Sequence, residues 1–166
     1  GQAGRVAMVA AGQRDLVVAA EPTAALDVTV EGGILEMVTD LQEKDDTSFI
    51  WVTQDMSVVA EIGDRVNVMY LGEIIEQAEV DDLFYDTKHP YTSALLDSMP
   101  RPDKTVDELR PIEGVMPEAI NPPSGCRFHS RCPEAREVCR RVHPDLRDLG
   151  DCPLSTSDPA ADEDHA

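Results

Sequence analysis

The stretch DLVVAAEPTAALD, Asp15 to Asp27, decides the fold. After Asp15 comes an apolar run, Leu16 to Ala20, short and bounded, as in a strand buried on both faces of a parallel sheet. Glu21 follows at once, and Pro22 stops the ladder because it has no N–H to donate. A carboxylate at the C-terminal tip of such a strand stands where open α/β sheets bind ligands. The small-residue turn Thr23-Ala24-Ala25-Leu26-Asp27 then leads into a helix.

That helix is expected over Val28 to Lys44, with Ile34, Leu35, Val38 and Leu41 as its apolar stripe. Gly32-Gly33 inside it weaken it by roughly 1 kcal/mol per glycine, and Asp45-Asp46 end it. TSFIWVT, Thr47 to Thr53, reads as a second buried strand with Phe49, Ile50, Trp51 and Val52 as core and Gln54-Asp55 at its tip. Asp55 to Glu61 is a short helix capped by Asp55. Asp64 to Leu71 and Glu73 to Gln77 form a hairpin through Gly72. Val80 to Tyr85 and Pro90 to Ser98 are short helices, and His89 is read as a capping or packing residue. Pro100 to Ser124 holds six of the twelve prolines and no apolar periodicity, so it is expected as an extended arm.

Composition excludes several roles. Asp and Glu number 33 against 14 Lys and Arg, a net charge of −19. Nucleic-acid binding and a polybasic membrane anchor both need a basic face. An acidity spread along the whole chain fits a cytosolic protein of a high-salt cell. No apolar run approaches the roughly 20 residues of a membrane span. With aromatics at only 4%, the core is expected to be aliphatic.

The four cysteines, Cys126, Cys132, Cys139 and Cys152, all fall in the last quarter of the chain. A reducing compartment disfavours a disulfide framework, and gathered thiolates suit a soft metal. Structural zinc usually opens on a tight C-x₂₋₄-C knuckle. Here five, six and twelve residues separate successive cysteines, a wider spacing that suits an iron–sulfur cluster at least as well. Zinc and no metal stay open as alternatives. His129 and His143 are stand-in ligands that neither metal requires. Arg127, Arg131, Arg136, Arg140 and Arg141 are the one basic island, read as offsetting a thiolate-ligated cluster or as a solvated face. Ser155 to Ala166 is acidic, aperiodic and expected to be disordered.

Several stretches together resemble the ATP-binding subunit of dipeptide/oligopeptide ABC importers, its C-terminal half with a cysteine-rich extension. They are Glu21-Pro22-Thr23 with Ala25-Leu26-Asp27-Val28-Thr29-Val30, and Asp64-Arg65-Val66, Met69-Tyr70 and Gly72-Glu73-Ile74. To these add His89-Pro90-Tyr91-Thr92 with Ala94-Leu95-Leu96, and Gly125-Cys126-Arg127-Phe128 followed by Arg131-Cys132-Pro133. The resemblance implies an α/β fold: a partial P-loop NTPase (ABC ATPase) domain with a mostly parallel sheet, plus a small cysteine-rich C-terminal extension. It divides the chain into the ATPase part at 1–99, the proline-rich arm at 100–125, the metal-cluster extension at 126–154 and the tail at 155–166. By the same resemblance Glu21 is the catalytic carboxylate after the Walker B strand. Gly1 and Gln2 end the signature loop, Asp27 belongs to the D-loop, and Gln54 stands at the switch histidine. These would face ATP and Mg²⁺, while Cys126, Cys132, Cys139 and Cys152 would hold a [4Fe–4S] cluster. The implied partners are a second ATPase subunit and transmembrane permease subunits, at the inner face of the cell membrane.

Two departures bear on hydrolysis. Ala20 occupies the position of the Mg²⁺-holding aspartate, and Gln54 cannot take up a proton as the histidine does. No G-x-x-x-x-G-K-[ST] phosphate loop occurs in these residues. The expectation is a chain that does not hydrolyse ATP by itself, with an apolar sheet surface left bare and a marginal, aggregation-prone monomer. Alternative readings are a metal-cluster or interaction module on a degenerate ATPase scaffold, and a pseudogene product.

Overall fold

The structure is a computed structural model that describes residues 15–24, 26–99, 111–149 and 155–156. The chain divides into two compact units at Gly63/Asp64.

In the first unit, β1 (Leu16–Ala20) and β2 (Ser48–Val52) pair in parallel, with Leu16 opposite Ser48 and Ala20 opposite Val52. Between them runs α1 (Val28–Asp45). It starts where the Asp27 carboxylate accepts the Val30 N–H at 3.0 Å and stops at Asp46, whose left-handed φ of 53° breaks the helical path. Ile34, Leu35 and Val38 of the expected stripe are buried, and Leu41 is half-buried. α2 (Met56–Ile62) follows β2, with Asp55 accepting the Ser57 N–H at 2.9 Å and Met56 and Val58 buried.

The sheet departs from expectation in its burial. Strand residues alternate, so Val17, Ala19, Phe49 and Trp51 share the half-buried face. Leu16, Val18, Ile50 and Val52 lie on the other face and are 52%, 65%, 50% and 49% exposed. Neither strand is covered on both sides, and Ile50 and Val52 are not core. With two strands only, this sheet has no further neighbour to bury that face among the described residues.

The second unit is built on an antiparallel sheet of order β3-β4-β6-β5, comprising β3 (Arg65–Tyr70), β4 (Glu73–Glu79), β5 (Arg147–Asp148) and β6 (Ser155–Thr156). Among the described residues parallel pairing is therefore confined to β1 and β2, against the mostly parallel sheet expected. Leu71 and Gly72 turn the β3–β4 hairpin with φ of 46° and 80°, the double left-handed pattern that matches strand twist. Ser155 and Thr156 pair with Gln77 and Glu76, so the start of the segment expected as structureless is a strand. Backbone pairing to a distant edge, invisible to local composition, overrides its acidity.

Among the described residues this unit also has three short helices: α3 (Val80–Asp86), α4 (Pro90–Asp97) and α5 (Glu137–Arg141). Its core is aromatic rather than purely aliphatic. Ring centroids lie 4.7 Å apart for Tyr70–Tyr91 and 5.3 Å apart for both Tyr70–Phe128 and Tyr91–Phe128, the separations at which tilted and edge-on rings attract. The few aromatics are concentrated, not absent. Residues 111–124 form no helix or strand. Arg131 pins them by donating to the Ile112 and Glu113 carbonyls, each at 3.0 Å. No helix among the described residues is long and apolar enough to cross a membrane.

Candidate functional sites

The first candidate site lies at the C-terminal ends of β1 and β2. Glu21 continues the ladder, its N–H donating to the Val52 carbonyl at 2.8 Å. It then turns with a φ of 45°, a left-handed conformation that is uncommon away from glycine. Such strain costs on the order of 1–3 kcal/mol and collects at functional positions. The turn aims the carboxylate across to the neighbouring strand, where Oε1 accepts the Gln54 N–H at 3.2 Å. Two residues singled out in the sequence thus meet at one sheet edge, the edge where open α/β sheets hold ligands. Ala20, last in β1, contributes no oxygen there. Asp27 stands six positions on, its carboxylate occupied as the cap of α1. Beside Gln54, Asp55 N–H donates to Thr53 Oγ1 at 3.0 Å, and the Ser57 hydroxyl holds the Asp55 carboxyl below the usual carboxylate range. Gly1 and Gln2 lie outside the described residues.

The second candidate site belongs to the other unit. Cys126, Cys132 and Cys139 line one small cavity together with His89, Pro90, Phe128, His129 and Glu134. Local geometry explains the convergence. Gly125 has φ +70°, and a Cβ there would meet the Cys139 carbonyl oxygen at 2.4 Å, so only glycine lets the chain approach α5 this closely. Cys126 N–H then donates to that carbonyl at 2.8 Å. Turns carry the chain through Phe128 to Cys132, with His129 N–H donating to Cys126 O at 3.1 Å and Arg131 N–H to Phe128 O at 2.9 Å. α5 presents Cys139, whose sulfur receives the Arg136 N–H at 3.4 Å. Cys126 and Cys139 are buried, and no disulfide joins the three thiols to one another. Cys152 lies outside the described residues.

Among the described residues no three of His, Cys, Asp and Glu are grouped to hold one metal ion. A single zinc, with Zn–S bonds of about 2.3 Å in a tetrahedron, needs its sulfurs roughly 3.8 Å apart. A cubane cluster is less demanding, because each cysteine grips a different iron. Three thiols on one cavity are of the donor type that an iron–sulfur cluster uses.

His89, expected as a capping or packing residue, is both. His89 Nδ1 accepts the Tyr91 N–H at 3.0 Å, opening α4. The ring is only 1% exposed, and burial pushes its pKa down to about 4, against a smaller opposing pull from Glu76. Glu76 is itself fully buried and accepts from Thr87 Oγ1 at 3.0 Å, Lys88 N at 2.6 Å and His89 N at 3.3 Å. No local signal in the sequence marks the packing of His89 with the distant Phe128, whose ring centroid lies 6.1 Å from its own. His129 lines the cavity, its Nδ1 within 2.8 Å of Cys126 O. His143 does not line it; its Nε2 lies 3.0 Å from Glu73 Oε1, which raises its pKa. The basic island is divided. Arg127 pairs with Glu73 and donates to the Leu71 carbonyl. Arg131 holds the arm, and Arg141 pairs with Glu137 on the exposed face of α5 at 2.6 Å.

Comparison with known proteins follows these two sites. Residues 75–139, which contain His89, Cys126, Cys132 and Cys139, match the family described as oligopeptide/dipeptide transporter, C-terminal region. The dipeptide transport ATP-binding protein DppD of Bacillus subtilis is 47% identical over 139 residues, 84% of this chain and 42% of that protein. The oligopeptide transport ATP-binding protein AppD of the same organism is 48% identical over 131 residues, 79% of this chain and 40% of that protein. DppD of Haemophilus influenzae is 43% identical over 145 residues, 87% of this chain and 44% of that protein. The chain spans about two-fifths of the length of these curated relatives. Residues 75–139 are thus similar to the oligopeptide/dipeptide transporter C-terminal region, and most of the chain is similar to dipeptide and oligopeptide transport ATP-binding proteins.

Proposed function

We propose that these residues serve as the C-terminal part of the ATP-binding subunit of an ABC importer for di- or oligopeptides, acting with a second ATPase subunit and membrane permease subunits. The observation that carries this reading is the meeting of Glu21 and Gln54 at the C-terminal tips of adjacent parallel strands. In that role Glu21 orients the water that attacks the γ-phosphate, and Gln54 contacts the phosphate by hydrogen bonding alone. Asp27, with Gly1 and Gln2, faces nucleotide across a subunit boundary. The bare face of Leu16, Val18, Ile50 and Val52 is where helices of the remaining half would pack, while its strands would pair along the edges of the β1–β2 sheet.

Ala20 and Gln54 argue that hydrolysis by these residues alone is negligible, since losing a positioned acid–base group typically costs on the order of 10²–10⁴ in rate. The test is phosphate release from Mg-ATP by the purified chain, alone and with a chain bearing a phosphate loop. Release only in the mixture, abolished by Glu21→Gln, is expected. Turnover near 1 s⁻¹ by the chain alone, an ordinary enzyme rate of about that order, overturns the reading.

A second observation, three thiols on one cavity, supports a [4Fe–4S] cluster held by Cys126, Cys132, Cys139 and Cys152. Such a group supplies reversible one-electron chemistry or a rigid cross-link. The protein's part is to gather the thiols through Gly125 and α5 and to shield them beneath Phe128.

A further inference from the structure

Among the described residues, three buried side-chain polar atoms have no hydrogen-bond partner: Trp51 Nε1, His89 Nε2 and Thr92 Oγ1. Only His89 belongs to a residue that lines the thiol cavity. A buried donor without an acceptor is costly, so its survival calls for an acceptor.

The tautomer follows from the other ring nitrogen. Nδ1 accepts the Tyr91 N–H, so the proton of the neutral imidazole sits on Nε2. His89 is then a donor towards the cavity, not a ligand. Ligation through Nε2 would move the proton to Nδ1 and set it against the Tyr91 N–H. The carboxylate whose charge acts on His89, Glu76, is already occupied by Thr87, Lys88 N and His89 N. Of the acceptors that line the cavity, the Glu134 carboxylate belongs to an exposed residue, and the buried ones are the sulfurs of Cys126 and Cys139.

We propose that His89 Nε2–H donates a hydrogen bond to a sulfur of the iron–sulfur centre gathered by these cysteines, and so sets its reduction potential without ligating it. This rests on the cluster reading above. Hydrogen bonds to cluster or thiolate sulfur stabilise the more negative, reduced state, and are among the factors that set such potentials. The backbone N–H of Arg136 acts on Cys139 in the same sense.

The experiment uses the full chain, reconstituted anaerobically with ferrous iron and sulfide. Cluster uptake is followed by visible absorbance and the midpoint potential by redox titration. His89→Asn keeps an acceptor for the Tyr91 N–H and lacks the distal donor; His89→Gln places an amide N–H near the position of Nε2. The expected result is normal loading of all three proteins. Asn should shift the reduction equilibrium about tenfold against the reduced form, about 59 mV for one electron, and Gln should recover most of the shift. Proton-coupling spectroscopy of the reduced centre should show an exchangeable proton in the wild type that the Asn variant lacks. Equal potentials in loaded wild type and both variants overturn this inference and leave the cluster reading standing, as do equal shifts in Asn and Gln, which mark a packing effect. If Asn fails to load, an absent exchangeable coupling in loaded wild type overturns the inference on its own. No uptake by the wild type overturns both.

Discussion

Replacing Gly125 by alanine should loosen the thiol cavity from its base. Gly125 adopts φ +70°, and holding a non-glycine residue in that left-handed region costs roughly 1–2 kcal/mol. The added Cβ would also lie 2.4 Å from the Cys139 carbonyl oxygen and 2.7 Å from the Arg140 carbonyl carbon. Both are backbone atoms of α5, so no side chain can swing away. Relief requires moving the loop off the helix, which stretches the Cys126 N–H to Cys139 O bond of 2.8 Å and the Ser124 Oγ to Arg140 O bond of 3.1 Å. At about 1 kcal/mol per hydrogen bond, the total reaches about 3–4 kcal/mol, a large share of the roughly 5–15 kcal/mol that stabilises a typical domain. Gly72→Ala is the control, because φ there is +80° yet a Cβ meets nothing within 4 Å. It should cost only the backbone part. Urea denaturation gives both stabilities, and thiol-labelling rates report whether buried Cys126 and Cys139 become reactive. A Gly125→Ala chain no less stable than Gly72→Ala, with unchanged labelling, would refute the argument.

His89 predicts a loss of stability in acid. Its value is 6.5 in the unfolded chain and about 4 when folded, so the unfolded state takes up the proton first. Stability is full above pH 6.5 and declines as pH falls towards about 4, by about 3 kcal/mol at about 1.36 kcal/mol per unit; urea midpoints at pH 7 and pH 4.5 should show it, and His89→Asn should flatten that part of the slope. His143 acts in the opposite sense. Glu73 raises its pKa, so its contribution is complete below 6.5 and is lost as pH rises through the folded value; an NMR titration should place His143 above 6.5, and Glu73→Gln should bring it back down. The exposed apolar face of the first unit predicts self-association: Val18→Thr combined with Ile50→Thr should reduce concentration-dependent light scattering and change stability by less than about 1 kcal/mol. Unchanged scattering would show that this face is not the adhesive one.

The elements were largely legible because their signals are local. Asp27 and Asp55 cap the helices they precede, the αL residue Asp46 stops α1 where two aspartates fall together, and Gly72 turns the hairpin. Glu21 and Gln54 could be paired from sequence because parallel strands place their tips side by side. What could not be read depends on distant contacts. Ser155 and Thr156 become a strand only because β4 offers an unpaired edge. Phe128 joins Tyr70 and Tyr91 from far along the chain, and that packing turns His89 from a capping residue into part of the thiol cavity. The left-handed turn at Glu21 has no signature either, since glutamate gives no hint that its backbone is strained.

The sheet of the second unit has a consequence for anyone building chimaeras. Because β3 and β4 share their ladder with β5 and β6, and Arg127 moors the cysteine segment to the β3–β4 turn, the proline-rich arm is not a seam. A transplant that begins at the arm would leave two strands behind and carry off an edge with nothing to pair. The clean cut lies at Gly63/Asp64, so the hairpin must travel with the thiols as one cassette.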